Sequence, residues 1–471
     1  MKKHYIVGGL IALLLGKFLY PLFTYDVPLG YDPGIYRYLF IQYADALRSL
    51  SLPNLAPWAQ EYPRTFYLFI APFIIAGIPV DAFIGWMWNL VPVALACVLA
   101  WVTAKRSNTQ IGIAVLLMAF LSQAYYDGFF AMYMKVYVSL IFVVLTYYFV
   151  ERLSVWFPIT ALLAVLIHQQ TGLVLVVALG VWWVIQLPSR FSEPRFRVMT
   201  TILAGAACVG LLMYLPQWER AILSPLKSIF LLRGASAPGG AFPDAIFYIK
   251  TMPIVLLLGI GGYLTSMKTE RGSLWQLSVL VCLIFVTLHL TFYKRFFLLL
   301  DFFLLPYAAA FLVSLWNMLK HSSVLRGSLA LLILAQCLVG LRVVSMRTPA
   351  IRSSDIMLIH QAAAALPEHA SIIALENISS TWLRGWIPYR NVGAPGLFDF
   401  PGWTIEEWGQ FIDGSNADRK ALLQRVESES LYLFASPLFT EYYGERANPV
   451  LRDPCLKKVD NAPLLQFICN T

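Results

Sequence analysis

Apolar runs of about twenty residues recur along most of this chain, separated by short polar segments. A helix of that length spans the hydrocarbon core of a bilayer. The runs do not alternate in polarity, as β-barrel strands would. The pattern therefore predicts an α-helical polytopic membrane protein of about eleven transmembrane helices, near residues 4–23, 82–104, 109–125, 129–150, 155–168, 172–187, 198–216, 251–267, 274–292, 296–316 and 327–345.

Two stretches fit this pattern less well. The polar sequence "HQQTG" interrupts the long run at 155–187, where we predict a break between two short helices, with a single tilted helix as the alternative. The segment "YPRTFYLFIAPFIIAGIP" (62–79) is short and contains prolines. It predicts helices that lie at the membrane interface.

Composition agrees with the membrane class and orients the chain. The 471 residues are 59% hydrophobic and only 13% charged, with a mean hydropathy of +0.67, whereas soluble domains are about one quarter charged. The net charge of +9 does not indicate a nucleic-acid partner, because the bases concentrate in segments that face the cytoplasm if the N-terminus is cytoplasmic. We expect a multi-pass protein of the plasma (inner) membrane, with the first run as an anchor and not a cleaved signal peptide.

Three long segments then lie outside the cytoplasm: the loops 24–81 and 217–250, and everything after residue 345. The last segment loses the apolar character and alternates strand-like and helix-like stretches, which is typical of a small α/β domain. We predict a transmembrane catalytic domain at 1–345 and an extracytoplasmic soluble α/β domain at 346–471. Cys455 and Cys469 flank a hairpin-like stretch; a disulfide and two free thiols are both open.

Ionisable side chains gather on the predicted outer side, where they are expected to handle water, ions or substrates. Carboxylates act as general bases or hold metal ions, and Lys and Arg neutralise phosphate oxygens. The pattern predicts one polar chamber for a phosphate-bearing lipid; contact with phospholipid headgroups without chemistry is the alternative. The members of this set, with the polar residues beside them, are Asp26, Asp32, Arg37, Asp45, Asp127, Lys135, His168, Gln169, Gln170, Arg220, Lys227, Arg233, Lys250, Lys294, Arg295 and Asp301.

The sequence "GYDPGIYRYLFIQYADAL" resembles the first outer loop of the GT-C superfamily of membrane glycosyltransferases, which includes protein mannosyltransferases, aminoarabinose transferases and oligosaccharyltransferases. Asp32, Pro33, Tyr36 and Arg37 are similar to the Asp-Pro, aromatic and basic residues of that loop, although Gly34 and Ile35 stand where its aromatic pair is usual. "YPRTFYLFIAPFIIAGIPVDAFIGW" and "LSQAYYDGFFAMYMKVYVSL" are similar to the superfamily's interfacial segment and to the polar entry of its fourth span.

The resemblance implies transfer of a sugar from a polyprenyl-phosphate donor to a glycan, lipid or protein acceptor on the outer face, with inversion. It implies Asp32 as general base and Arg295, Lys294 and then Lys135 as partners of the phosphate. Some members of the superfamily hold a divalent metal such as Mg or Mn, for which Asp32 and Asp127 are the candidate ligands; others hold none. Further candidate substrate contacts are His168, Gln169, Tyr36, Arg37 and Asp127.

Each candidate also has a structural interpretation. Asp32 fits an N-cap before Pro33, and Asp127 fits a cap of the fourth span. His168 and Gln169 fit hydrogen bonds across a helix break, and the basic pair at 294–295 fits snorkelling to headgroups. Other functions stay open: a polymerase or ligase of lipid-linked glycans, or a flippase, although inverted repeats typical of transporters are not evident.

Overall fold

The computed structural model describes residues 2–60, 62–215, 218–231, 239–270, 272–395, 400–460 and 462–469. Part of the second predicted outer loop, residues 217 and 232–238, lies outside this description. Contacts between residues divide the chain into two compact units. The helical unit comprises Met1–Tyr20, Pro63–Phe66 and Trp86–Thr348, and the mixed unit comprises Pro21–Tyr62, Tyr67–Gly85 and Pro349–Thr471.

Most helices of the helical unit form in the predicted apolar runs. The helices of this unit are α1 (Lys2–Thr24, of which the last turn belongs to the mixed unit), α5 (Trp86–Arg106), α6 (Thr109–Leu121), α7 (Gln123–Phe130), α8 (Met134–Val150), α9 (Trp156–Ile167), α10 (Gln169–Arg190), α11 (Pro194–Tyr214), α12 (Ser224–Leu231), α13 (Ala245–Thr251), α14 (Pro253–Ser266), α15 (Leu274–Thr287), α16 (Phe296–Met318) and α17 (Ser323–Ser345). Of these, α12 and α13 lie in the predicted outer loop 217–250.

Within the described residues, six helices are long and apolar enough to cross a membrane: α1, α5, α10, α11, α16 and α17. The number rises to eight if α6 with α7, bent by 58°, and α13 with α14, bent by 102°, each form one span. Four further apolar helices are shorter, α8, α9 and α15 together with α3 (Thr65–Ile75). The predicted class of α-helical membrane protein is confirmed, and the count of eleven spans stays a prediction.

Two polar positions break the apolar runs. The predicted break at "HQQTG" is present, because α9 ends at Ile167, His168 is extended, and α10 begins at Gln169. The predicted span 109–125 is instead interrupted at Ser122. The Ser122 hydroxyl accepts a 2.9 Å hydrogen bond from the Tyr125 amide, so it caps α7 and fixes the bend.

The core of the helical unit forms around α16, which packs against α6, α14 and α15. Large aromatic side chains fill this core without solvent exposure, among them Tyr125, Tyr137 and Trp275. Lipid tails are as apolar as these side chains, so close packing and internal hydrogen bonds hold the helices together more than the hydrophobic effect does.

The mixed unit contains one five-stranded sheet. Its strands are β1 (Ser371–Ala374), β2 (Asn391–Gly393), β3 (Leu431–Phe434), β4 (Leu456–Lys458) and β5 (Leu464–Phe467), in the order β2-β1-β3-β5-β4. β1 runs parallel to β2 and β3, whereas β5 is antiparallel to β3 and β4. Its helices are α2 (Pro33–Arg48), most of α3, α4 (Val80–Ile84), α18 (Ser353–Ala365), α19 (Asn377–Trp386), α20 (Ile405–Asp413), α21 (Asn416–Gln424), α22 (Pro437–Tyr443) and α23 (Asn448–Leu451).

The small α/β segment at the C-terminus agrees with the prediction. A disulfide joins Cys455 to Cys469 across the β4–β5 hairpin, which resolves the open alternative. The compact units group the first outer loop with residues 349–471, although the sequence pattern assigned that loop to the transmembrane domain. The functional division at residue 345 stays a prediction.

Candidate functional site

The predicted site residues are distributed over the two units. The mixed unit contains Asp32, Tyr36 and Arg37. The helical unit contains Asp127, Lys135, His168, Gln169, Lys294 and Arg295. The structure gathers part of the second set into one cationic cluster, which we define as Lys135, His168, Lys294 and Arg295.

The turn before α16 presents two members of this cluster. Phe292 has a positive φ of 54° and leads into a single 3₁₀ turn, Tyr293–Arg295. A bulky residue in the left-handed region is an uncommon and costly conformation that persists only when its surroundings enforce it. The enforcement is visible here, because the Lys294 amide donates a 3.0 Å hydrogen bond to the Gly239 carbonyl.

Two glycines allow the second outer loop to lie against these cations. A Cβ atom at Gly239 would sit 2.9 Å from Lys294 Cε, and Gly240 has a φ of 87°, which side chains rarely adopt. A Cβ atom at Gly240 would also lie 3.2 Å from Arg295 Cγ and Nε. The glycine pair therefore permits a close contact between backbone and cation that larger residues would block.

Arg295 stands out because no carboxylate among the described residues pairs with its charge. The guanidinium carbon lies 4.8 Å from the ring centre of Phe292 and 5.6 Å from that of Tyr133. Its Nε atom is buried without a hydrogen-bond acceptor in the described part of the chain. A buried donor without an acceptor is costly, so this geometry favours an anionic ligand.

Lys294 is only partly neutralised. Its Nζ atom lies 2.8 Å from Asp244 Oδ1, but the Asp244 side chain is largely exposed. Exposed ion pairs of this type contribute little, because water and salt screen them. Lys294 therefore has positive charge available beside Arg295.

Lys135 and His168 complete the cluster. Lys135 is the second residue of α8, three positions after Met132, which has a positive φ of 59°. His168 caps α10, because its Nδ1 atom accepts a 3.2 Å hydrogen bond from the Thr171 amide. We therefore assign the ring proton of the neutral imidazole to Nε2. The positive charges of Lys135 and Arg295 both act on this ring, and half-buried Gln169 follows it as the first residue of α10.

Asp127 is committed to a different contact. Its Oδ1 atom lies 2.7 Å from a guanidinium nitrogen of Arg347 and accepts a 2.9 Å hydrogen bond from the side-chain Nε2 of Gln123. The carboxylate is almost fully buried. Asp127 thus fits a metal ligand poorly, since a guanidinium opposes a cation at the same oxygen. No group of three or more His, Cys, Asp or Glu suited to a metal occurs within the described residues.

A second buried charge network involves Lys17, which the sequence pattern did not single out. Its Nζ atom donates to the carbonyls of Phe120 at 2.7 Å and Ser122 at 3.1 Å. The helix break at Ser122 leaves these carbonyls without intrahelical partners. The Ser122 hydroxyl in turn donates a 2.6 Å hydrogen bond to buried Asp301. A lone lysine inside an apolar run was the available signal, since such residues are costly in a membrane.

In the mixed unit, Asp32 occupies the N-cap position of α2 and is half-buried. Its backbone carbonyl accepts the Tyr36 amide at 3.1 Å, but its side chain makes no capping hydrogen bond. Pro33 at the first helical position has no N–H group to satisfy. The carboxylate is therefore not used to cap this helix.

Arg37 and Tyr36 hold α2 in its surroundings. Arg37 Nε lies 2.7 Å from Asp81 Oδ1, and Arg37 also donates a 2.6 Å hydrogen bond to the Gly385 carbonyl. Its guanidinium carbon is 5.0 Å from the ring centre of Trp386. Tyr36 packs in an aromatic cluster, with its ring centre 6.1 Å from Phe40 and 6.5 Å from Tyr67. These contacts hold α2 in place, and the predicted contact of Tyr36 and Arg37 with the substrate stays a prediction.

Solved structures provide the comparison that decides the fold. An oligosaccharyltransferase from Archaeoglobus fulgidus, in complex with Zn and sulfate, superposes with a TM-score of 0.60 at 12% identity, over 94% of this chain and 69% of that one. ArnT from Cupriavidus metallidurans, bound to undecaprenyl phosphate, superposes with a TM-score of 0.58 at 12% identity, over 98% of this chain and 97% of that one. This chain has the GT-C fold. The fold predicted from the first outer loop is thus confirmed.

Sequence comparison adds nothing to this result. No family model matches the chain, and no curated protein matches it. At 12% identity, the likeness to the two GT-C structures extends to the fold alone. The fold alone therefore does not specify the function, which depends on the chain's own side chains.

Proposed function

We propose that this protein is a GT-C glycosyltransferase that transfers a sugar from a polyprenyl-phosphate donor to an acceptor on the extracytoplasmic face. The observation that carries the proposal is Arg295, a half-buried guanidinium without a counter-charge among the described residues. Lys294 precedes it, and Gly239 and Gly240 lie close against the two side chains. Undecaprenyl phosphate is bound in the ArnT structure of the same fold. A phosphate with a polyprenyl tail suits a cationic cluster within a unit of apolar helices.

The cationic cluster has the chemistry to stabilise the leaving group. As the bond between the sugar and the phosphate oxygen breaks, its electron pair remains on the phosphate. Preorganised cations and N–H donors stabilise a charge that develops in this way better than water does. Arg295 offers a fork of donors, Lys294 and Lys135 offer point charges, and His168 offers Nε2–H.

Asp32 is the proposed general base. As the acceptor oxygen forms its bond to the anomeric carbon, the acceptor hydroxyl loses its proton to the Asp32 carboxylate. One displacement of this kind inverts the configuration at that carbon. Support comes from the mixed unit itself, where Asp32 stands at the N-terminus of α2 as a half-buried carboxylate.

The A. fulgidus structure of the same fold holds Zn, but the proposed pairing of Asp32 with Asp127 is weakened by the ion pair between Asp127 and Arg347. We also propose, from the charge bias of the loops, that the protein lies in the plasma membrane with its N-terminus in the cytoplasm and its C-terminal segment outside.

Binding of undecaprenyl phosphate to the purified protein tests the assignment of Arg295. A charge-assisted hydrogen bond contributes about 1.5–3 kcal/mol, so Arg295→Ala should weaken binding by roughly 10- to 150-fold. Arg295→Lys should recover part of the loss, since it keeps the charge but not the fork. The measurement is a titration of the protein in nanodiscs by microscale thermophoresis.

Lys320→Ala is the matched control, because Lys320 is an exposed cation just beyond the other end of α16. Its loss should leave the affinity within about two-fold of the parent protein. Equal affinities for Arg295→Ala and Lys320→Ala would show that the phosphate binds elsewhere.

A further inference from the structure

The segment that carries Asp32 leads into α2, which packs closely against α19 from the C-terminal segment. α2 and α19 pack through two glycines: a Cβ atom at Gly385 would lie 2.5 Å from Gly34 Cα, and one at Gly34 would lie 2.0 Å from the Thr381 carbonyl oxygen. Any larger residue at either position would force the backbones apart. The first turn of α2, which follows Asp32 directly, thus lies against α19 within the mixed unit.

Hydrogen bonds fix the residues on both sides of Asp32 to the same helix. The Thr381 hydroxyl lies 2.8 Å from the Tyr31 carbonyl, although it also lies 2.8 Å from Ile378 O within its own helix. The Tyr31 hydroxyl donates a 2.9 Å hydrogen bond to the Asn377 carbonyl. On the other side, Arg37 donates to the Gly385 carbonyl.

The tyrosine is suited to this task. Burial, and then the charge of Asp32, raise the pKa of Tyr31 well above its usual value. A tyrosine hydroxyl keeps its proton at neutral pH, so Tyr31 remains a donor to the Asn377 carbonyl. The involvement of Asp32 in that effect also indicates that its carboxylate lies near the tyrosine ring.

α19 is itself anchored, so that it can serve as a fixed support. Glu376 caps the helix by accepting hydrogen bonds from the amides of Ile378 at 2.7 Å and Ser379 at 2.9 Å. The Ser436 hydroxyl donates to Glu376 at 3.2 Å. Glu376 follows β1 by two residues, and β1 lies between β2 and β3 in the sheet, which ties α19 to the sheet.

We propose that α19 positions the general base, with Thr381 and Tyr31 as positioning residues that act through Asp32. This inference rests on the proposed function, because it needs Asp32 to be the base. It gives the C-terminal segment a direct part in catalysis: residues about 350 positions after Asp32 set the location of its carboxylate. Neither residue needs to touch the substrate.

Thr381→Val removes the hydroxyl at nearly constant shape and is the principal test. A displacement of about 1 Å at a reacting group can lower a rate by roughly 100-fold, so we expect kcat to fall by about 10- to 100-fold with the donor KM unchanged. Thr381→Ser should restore most of the rate. Ser353→Ala is the control. The Ser353 hydroxyl donates a 3.2 Å hydrogen bond to Asp26, so it also joins the C-terminal segment to the first outer loop, but at a different residue from Asp32.

The assay measures release of undecaprenyl phosphate from undecaprenyl-phosphate sugars by the full-length protein, with a cell-envelope extract as acceptor. The decisive comparison uses Asp32→Asn as a second background. If Thr381 acts through Asp32, Thr381→Val should lower kcat in the parent protein and have no further effect once Asp32 is replaced. Tyr31→Phe should behave in the same way, and thermal melting of each variant checks that it is folded.

The outcomes separate the two proposals. If Asp32→Asn lowers turnover but Thr381→Val and Tyr31→Phe do not, the positioning role is wrong and the base assignment stands. The positioning role is also wrong if the Thr381 and Asp32 effects simply multiply. If Asp32→Asn leaves turnover intact, the proposed base is wrong, and the positioning role fails with it.

Discussion

At the scale of single residues, the helical unit compensates most of its buried charges. Asp127 pairs with Arg347 at 2.7 Å, and Lys17 is held by two backbone carbonyls close to the Ser122–Asp301 pair. Arg295 differs, because no carboxylate within the part of the chain that the structure describes pairs with its guanidinium, which lies over the rings of Phe292 and Tyr133. This difference separates a charge that stabilises the fold from one that is available to a ligand.

The Asp127–Arg347 pair gives a stability prediction. Arg347→Met removes the guanidinium and leaves the Asp127 carboxylate buried and uncompensated, which typically costs about 3–5 kcal/mol. We expect a marked fall in the melting temperature of the detergent-solubilised protein. The control is Arg352→Ala, since Arg352 pairs with Glu441 at an exposed position, where an ion pair contributes little to stability.

The double variant Asp127→Asn with Arg347→Met refines this test. It removes both charges, so it should recover much of the stability that the single variant loses. An equal melting temperature for Arg347→Met and Arg352→Ala would contradict the account, because it would mean that the buried pair stabilises no more than the exposed one.

The sequence indicated some of these residues and missed others for physical reasons. Lys135, His168 and Arg295 were predicted together, because ionisable groups beside apolar runs are unusual enough to notice. The partner of Asp127 was not predictable, since Arg347 lies 220 positions away. Lys17 was passed over because its acceptors are backbone carbonyls, freed by a helix break that the apolar pattern at 109–125 does not reveal.

At the scale of elements, the crossing of α2 and α19 depends on the absence of side chains at Gly34 and Gly385. Gly385→Ala would place a methyl group 2.5 Å from Gly34 Cα. Such overpacking against backbone typically costs about 1–3 kcal/mol. We expect a lower melting temperature and faster hydrogen exchange in residues 31–37, both measured on the full-length protein.

Gly409→Ala is the matched control, because Gly409 lies on the exposed face of α20 with open space around it. Alanine favours a helix by about 0.5–1 kcal/mol over glycine, so this variant should melt at the same or a slightly higher temperature. If Gly385→Ala is as stable as Gly409→Ala, the close crossing of α2 and α19 is wrong.

Individual elements were easier to predict than their partners. The break at His168 and several elements of the C-terminal segment, among them β1, β3, α18, α20 and α21, followed from local patterns of polar and apolar residues. The pairing of α2 with α19 did not, because no local signal connects segments that lie about 350 residues apart. For that reason the first outer loop was assigned to the transmembrane domain, whereas its contacts lie with the C-terminal segment.

At the scale of the whole molecule, apolar composition predicted the membrane class and one loop motif predicted the GT-C fold. The number of spans was harder to predict, because bent pairs such as α6 with α7 satisfy the same length criterion as one straight helix. The GT-C fold does not specify the sugar or the acceptor. The central claim is therefore chemical: the chain consumes a polyprenyl-phosphate sugar by using Asp32 and Arg295.

The most direct test of that claim is mass spectrometry of lipid products from the purified full-length protein. The protein would be supplied with a panel of undecaprenyl-phosphate sugars and a cell-envelope extract, alongside its Asp32→Asn and Arg295→Ala variants. The account predicts that the parent protein releases undecaprenyl phosphate and transfers the sugar, with each variant slower by at least roughly 100-fold. Unchanged turnover in both variants, or no turnover of any donor by the parent protein, would contradict it.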